Sequence, residues 1–224
     1  VTDAVSTTAS QTLSRGLTAL EVLADAEGTL TIGELASRLG LHRSITYRIV
    51  RTLEDHGLVV RNASGELELG AGLAALARNV SRDLQAAALP ELTLVANELG
   101  MTAFLAILDS DDAEAVTLAS VEPRHAAAAV AQRPGSRHPI SRGAPGRAIH
   151  GQLGRERADD RPAERFETST DEVITGLSSI AVPLAVPGYR AASIAVVYLT
   201  QPVDAAAIAE RLERAARVIR DEFS

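Results

Sequence analysis

The chain has 224 residues, of which 46% are hydrophobic and 23% charged, and its 22 basic and 29 acidic side chains give a formal net charge of -7. That balance suits one or two packed globular domains and not a disordered tail. The absence of Cys excludes disulfides, thiolate metal sites and thiol nucleophiles; every basic residue is Arg, which excludes a Schiff-base lysine and the lysine of a phosphate-binding loop.

The first 70 residues read as three helices and a hairpin. Leu13, Leu17, Leu20 and Ala24 recur at helical spacing and predict one apolar stripe on a first helix that Gly28 ends. Thr31-Ile32-Gly33-Glu34 has the pattern of a capping box, and Ile32, Leu35, Ala36 and Leu39 give a short second helix its buried face before Gly40 stops it. A third helix is predicted from about His42 to His56. At about 100° per residue its apolar side holds Ile45, Ile49, Thr52 and Leu53, and the opposite side presents Ser44, Tyr47, Arg48 and Arg51. Leu58–Arg61 and Glu66–Leu69 alternate as short strands around the turn Asn62-Ala63-Ser64-Gly65. This is the plan of a winged helix-turn-helix.

Beyond it, Leu73, Leu76, Val80 and Leu84 predict a linking helix over about Ala71–Ala88, with Pro90 as a boundary and a further helix over Leu92–Leu99. Thr102–Leu108, Ala115–Val121 and Ala126–Ala131 read as strands, and Asp109–Asp112 as the first turn between them. Ala144–Leu153 reads as a helix and Arg155–Arg165 as a polar, charged stretch. Ser179–Val186 and Ala192–Leu199 form a hairpin around Pro187-Gly188, with Gly188 suited to a type II turn. A last amphipathic helix carries Ala206, Ile208, Leu212, Ala216 and Ile219. The second domain is therefore expected to be α+β with an antiparallel sheet.

A winged helix-turn-helix suits DNA because one helix fills the major groove and its exposed side chains reach base edges. Leu41–Asn62 holds Arg43, Arg48, Arg51 and Arg61 against Glu54 and Asp55, a local reversal of the overall acidity. Arg48 and Arg51 are candidates for bidentate contact to guanine. Ser44 and Tyr47 are placed for bases or phosphate, and Arg43, with Arg61, Asn62 and Ser64 of the wing, for phosphate. The rival reading makes the domain a packing module with a solvated arginine face. No Gly-x-Ser-x-Gly, His-Glu-x-x-His or Gly-x-Gly-x-x-Gly pattern occurs, and His42, His56, His125, His138 and His150 are scattered, so neither enzyme, cofactor nor metal site is expected. Asp109-Ser110-Asp111-Asp112 lacks the later Gly and Glu of a calcium loop and reads as a solvated turn. With no run of 18 apolar residues and a polar Val1–Ala9, the expectation is a soluble, cytoplasmic protein without membrane contact.

The chain resembles the IclR family of bacterial transcription regulators in Leu13-Ser14-Arg15-Gly16-Leu17, Leu35-Ala36-Ser37-Arg38-Leu39-Gly40-Leu41, Ser44-Ile45-Thr46-Tyr47-Arg48 and Leu67-Glu68-Leu69-Gly70. Further on it resembles the family in Pro134-Gly135-Ser136, Ala144-Pro145-Gly146-Arg147-Ala148 and Gly176-Leu177-Ser178-Ser179-Ile180-Ala181-Val182-Pro183. The resemblance implies a winged-helix DNA-binding domain over 1–70, to whose contacts Arg15 is added, a linker helix over 71–89, and a GAF-like effector domain over 90–224. It also implies a homodimer or homotetramer on a near-palindromic double-stranded operator, controlled by a small organic effector, a carboxylate or an aromatic compound. Carried over by position, the effector site uses Val130, His138, Ala144, Pro145, Ser169, Leu177, Ser179, Tyr198 and Thr200. The family usually has Cys at Ser179, Asp at Ser169, and Ser at Tyr198 and Thr200. The stretch between Ala148 and Phe166 is also shorter than is usual, as if two helices were missing. Arg142 and His138 either bring positive character suited to a carboxylate effector or are an ordinary surface Arg and loop His. The alternative for the whole domain is that it only oligomerises and binds no effector.

Overall fold

In the computed structural model, which describes residues 10–110, 112–125, 129–154 and 165–223, the chain divides into two units between Val80 and Ser81. The first opens with α1 (Gln11–Ala24), whose Leu13 amide donates to the Ser10 hydroxyl. Its buried side is Gly16, Ala19 and Leu23; Leu13 and Leu17 of the expected stripe are 62% and 52% exposed. The small residues let the helix approach its neighbours closely, so the larger leucines are left outside. The capping box forms as expected on α2 (Ile32–Leu39): the Thr31 hydroxyl accepts from the Glu34 amide, and the Glu34 carboxylate accepts from the Thr31 amide. Gly40, at φ 62°, ends that helix in the left-handed conformation that costs a side-chain-free residue least.

Next come α3 (Arg43–Asp55) and the antiparallel pair β1 (Val59–Arg61) and β2 (Leu67–Leu69), with Leu30 bridged to Leu67. Ala19, Leu23, Leu35, Val50, Leu53, Val59 and Leu67 form one core under the wing. Fully burying a side chain such as Leu35 or Leu67 contributes about 1.5–3 kcal/mol.

The expected linking helix is two pieces, α4 (Gly72–Ala77) and α5 (Arg82–Leu99), with Ser81 between them at φ 47°. Pro90 does not bound α5, which runs through it with Leu84, Ala88, Leu92, Val95 and Ala96 buried. Packing along that stripe outweighs the one helical hydrogen bond that proline cannot donate.

The second unit is a six-stranded antiparallel sheet in the order β5-β4-β3-β8-β7-β6. Its strands are β3 (Thr102–Leu108), β4 (Glu114–Val121), β5 (Arg137–Pro139), β6 (Glu167–Thr170), β7 (Leu177–Leu184) and β8 (Ala192–Leu199). Two helices join them, α6 (Gly143–Gln152) and α7 (Ala205–Asp221). The predicted turn between β7 and β8 is present: the Tyr189 amide donates to the Val186 carbonyl at 3.2 Å and Gly188 has φ 85°. Strands β5 and β6 were not foreseen. Of the strand expected at Ala126–Ala131, residues 126–128 lie outside the described residues and the rest forms no strand. Val1–Ala9, Asp111 and 155–164, the last making up most of the shortened stretch after Ala148, also lie outside the described residues.

Each face of the sheet has its own core. Ala103, Leu105, Ile180, Ile194, Val196 and Tyr198 pack with α5 and α7, whereas Phe104, Ala106, Ala181, Ala195 and Val197 pack with α6. The buried guanidinium of Arg211 in α7 donates to Glu98 and, at 3.4 Å, to Glu91, fastening α7 along α5. Gly146 lets α6 lie on the chain after β5: a Cβ there would stand 2.8 Å from the Pro139 carbonyl oxygen and 2.9 Å from the Ile140 Cα.

Candidate DNA-binding face and ligand cavity

The buried side of α3 is Thr46, Ile49, Val50 and Leu53. It is turned about 60° from the apolar side expected of the sequence, so that Ile45 and Thr52 are exposed with Ser44, Tyr47, Arg48 and Arg51. The reason is local. Thr46 is polar in type, but its hydroxyl donates back to the His42 carbonyl at 3.4 Å, which lets it be buried. His42 caps the helix, its Nδ1 accepting from the Ser44 amide at 3.3 Å and lying 2.9 Å from the Ser44 hydroxyl.

Arg43, Arg48 and Arg51 are exposed and have no ion pair among the described residues. Arg61 differs. Its Nε donates to Glu54 Oε1 at 2.6 Å, and its guanidinium stands 6.0 Å from the centre of the Tyr47 ring, so the wing arginine is tied to α3. Asn62 is equally engaged: its carbonyl oxygen accepts from the Ser64 and Glu66 amides, and its amide donates to Glu66, which also accepts from the Thr29 hydroxyl. Asn62 and Thr29 hold the Glu66 carboxyl below its ordinary value. Asn62 therefore shapes the wing, and Ser64 stands exposed at its tip. Arg15 lies half-buried in α1.

In the second unit a cavity of about 330 Å³ opens between α6 and the sheet. His138, Pro145, Ser169, Leu177 and Ser179, expected at the effector site, line it together. The Ser169 and Ser179 hydroxyls are 2.7 Å apart. The other expected residues do not line it. Ala144 is buried in the α6 core, and Val130 packs at the margin with its carbonyl accepting from the Thr102 hydroxyl at 2.7 Å. Tyr198 faces α5 and α7, and the Thr200 hydroxyl lies 2.9 Å from that of Ser178. Side chains alternate along a strand, so the cavity side of β8 at this level carries Val197, one residue away from the expected position.

Of the two readings of Arg142 and His138, the geometry lends the positive one no support. The Arg142 guanidinium donates to the Glu172 carbonyl and is not part of the lining. Burial lowers the affinity of His138 for a proton, opposed in part by Glu114; its Nε2 is buried without a hydrogen-bond partner among the described residues.

Four charged groups stand at or beside the cavity that were not expected at the effector site. Glu172 lines the cavity and accepts from the Gly143 amide, at the start of α6, at 3.0 Å. Arg147 donates to the same carboxylate oxygen, to Glu167 at 3.1 Å, and to the Thr168 carbonyl. Burial pushes the Glu172 carboxyl up, but Arg147, the Gly143 amide and Arg142 outweigh it and hold the group below its usual range. Burial likewise opposes the charge on Arg147, and Glu172 and Glu167 more than restore it. Arg137, also in the lining, is matched by Asp109 and by Glu114 at 3.4 Å. Arg147 was visible within its Gly-Arg-Ala motif, but its partner lies 25 residues on, in a loop with no periodicity to mark it.

Residues 12–63 match the family model of the IclR helix-turn-helix domain. The chain is 32% identical over 149 residues to the transcriptional repressor IclR of Escherichia coli, covering 65% of this chain and 54% of that one. It is 33% identical over 171 residues to an HTH-type transcriptional regulator of Mycobacterium tuberculosis, covering 76% and 65%. The aligned regions thus span less than two thirds of either relative. Among solved structures, an IclR transcriptional regulator from Alicyclobacillus acidocaldarius superposes with a TM-score of 0.80 at 22% identity, covering 96% of this chain and 100% of that one. An IclR homologue from Microbacterium hydrocarbonoxydans, complexed with 4-hydroxybenzoate, does so with 0.80 at 21% identity, covering 95% and 99%. These two likenesses establish the two-unit fold, a helix-turn-helix followed by an α+β unit.

Proposed function

The chain belongs to the IclR family, and from that premise we infer that it is a sequence-specific DNA-binding transcription regulator whose second unit takes a small organic effector. The observation that carries the reading is the outer face of α3, where Ser44, Tyr47, Arg48 and Arg51 stand exposed opposite a side buried in the core. Arg48 and Arg51 contact base edges in the major groove, Arg43 and the wing contact phosphate, and Arg15 supports the docking. Leu13 and Leu17, exposed along α1, are the surface through which two copies pair, so that a homodimer or homotetramer binds a near-palindromic operator in the cytoplasm. Effector control is linkage: a ligand favouring one arrangement of the subunits shifts operator affinity, typically by about 5–150-fold.

An effector function is favoured over oligomerisation alone by the cavity, whose volume of about 330 Å³ suits a molecule the size of a small aromatic ring or a short-chain metabolite. The test is fluorescence anisotropy on the DNA upstream of the protein's own gene and on scrambled duplex, at two salt concentrations. Preference for the upstream fragment by about 10³-fold or more supports the reading, and equal binding to both, erased by salt, counts against it.

A further inference from the structure

The start of a helix offers amide hydrogens with no partner in the helix, and a nearby guanidinium completes a position suited to an anion. At the mouth of the cavity that position is filled from within the chain. The Glu172 carboxylate accepts from the Gly143 amide at 3.0 Å and from Arg147, and Glu172 itself is part of the cavity wall. The Arg147 side chain is only 12% exposed, and its remaining donors reach Glu167 and the Thr168 carbonyl. The other cations nearby are matched as well: Arg137 by Asp109 and Glu114, and Arg142 by the Glu172 carbonyl. What the cavity leaves for a ligand is uncharged: the Ser169 and Ser179 hydroxyls, beside apolar Phe104, Leu177 and Val197, with the His138 ring in the wall.

We propose that Glu172 is a built-in anion that occupies the carboxylate position of the cavity, so that the effector is an uncharged hydroxyl- or amide-bearing molecule and its carboxylate counterpart is excluded. The proposal rests on the reading of this cavity as the effector site. A ligand carboxylate entering would either meet the Glu172 charge across a partly dehydrated gap or have to displace it from two donors at once. A neutral amide or alcohol of the same shape meets neither obstacle and can exchange hydrogen bonds with the Ser169 and Ser179 hydroxyls.

The test measures binding of 4-fluorobenzoate and 4-fluorobenzamide to the full chain by fluorine NMR. Both probes are titrated against the wild type, Glu172→Ala and Glu172→Gln, with circular dichroism confirming that each variant is folded. The expected result is that the wild type binds the amide at least tenfold more tightly than the carboxylate. Glu172→Ala then gains at least tenfold for the carboxylate and changes less than threefold for the amide. Glu172→Gln, which removes the charge but keeps an acceptor for Gly143 and Arg147, gains less. Wild-type binding of the carboxylate as tight as that of the amide, or no carboxylate gain in either variant, overturns the proposal and leaves the effector site standing. Absence of binding of both probes to all three proteins overturns the cavity as effector site, and the proposal with it.

Discussion

Replacing Glu54 by Gln removes the carboxylate that Arg61 grips at 2.6 Å and leaves the wing arginine free above α3. Both side chains are about one-third exposed or less, at 33% and 27%, so the pair itself contributes only about 0–1 kcal/mol to stability and the variant stays folded. Its effect is on DNA. Each phosphate contact steepens the dependence of log affinity on log salt by about 0.9, which over a fourfold rise in salt amounts to about 3.5-fold in affinity. While Glu54 holds Arg61, that contact is largely suppressed. The expectation is therefore a double-mutant cycle with strong coupling: Arg61→Ala lowers the slope by about 0.9 in the Glu54→Gln background and by less than half of that in the wild type. The assay is anisotropy on a random-sequence duplex between 50 and 200 mM salt, so no operator need be known. Equal slope changes in the two backgrounds would refute the reasoning, since Arg61 would then leave Glu54 for phosphate without hindrance.

Four further expectations come from the same geometry. Arg48→Ala removes an exposed guanidinium from the outer face of α3 and should cost about 1–3 kcal/mol on the specific operator but less on scrambled DNA, measured as the ratio of the two dissociation constants. Leu13→Glu with Leu17→Glu puts charge on residues 62% and 52% exposed and should shift the species seen by light scattering towards monomer without unfolding it. Gly146→Ala drives a Cβ to within 2.8 Å of a backbone carbonyl oxygen, and a loss of about 1–3 kcal/mol should appear in urea titrations. Burial holds the His138 pKa below its unfolded value of about 6.5, so the unfolded chain takes up the proton first. The stability this contributes is complete above the unfolded pKa and is lost as pH falls from there towards the folded value; a His138→Gln variant should lack that part of the pH profile, and an NMR titration giving a native pKa above 6.5 would contradict it.

Where the chain makes a local, chemically marked choice, the sequence and the structure agree. The Thr31–Glu34 box, the Gly188 turn and the wing between Asn62 and Glu66 each depend on residues within a few positions of one another. Residue type misled where context reversed it: Thr46 is buried because it bonds its own helix, and Ile45 is exposed beside Ser44 and Arg48, so the expected buried side of α3 was turned by about 60°. Along α1, small Gly16 and Ala19 go inside with Leu23, and Leu13 and Leu17 stay out. Strand β8 was legible as a strand but not in its parity. With both of its faces covered there is no polar-to-apolar alternation to say that Val197 and not Tyr198 looks into the cavity. Glu172 was not legible at all. Its importance lies in a contact with residues 25 and 29 positions earlier, which only the fold brings within reach.

The double covering of the central sheet has a consequence for how this protein can change. In β7 and β8 odd-numbered residues such as Ser179 and Val197 furnish the cavity, while even-numbered Ile180, Ile194 and Val196 hold α5 and α7. Two inheritable instructions are interleaved on one strand, and mutation can edit one while leaving its neighbour intact. A lineage can therefore change the lining of the cavity by drift at alternate positions while keeping the packing on the other face. The two sets meet chiefly in size: a bulkier furnishing residue is accommodated by the cavity's free volume, whereas a bulkier structural one finds no such space.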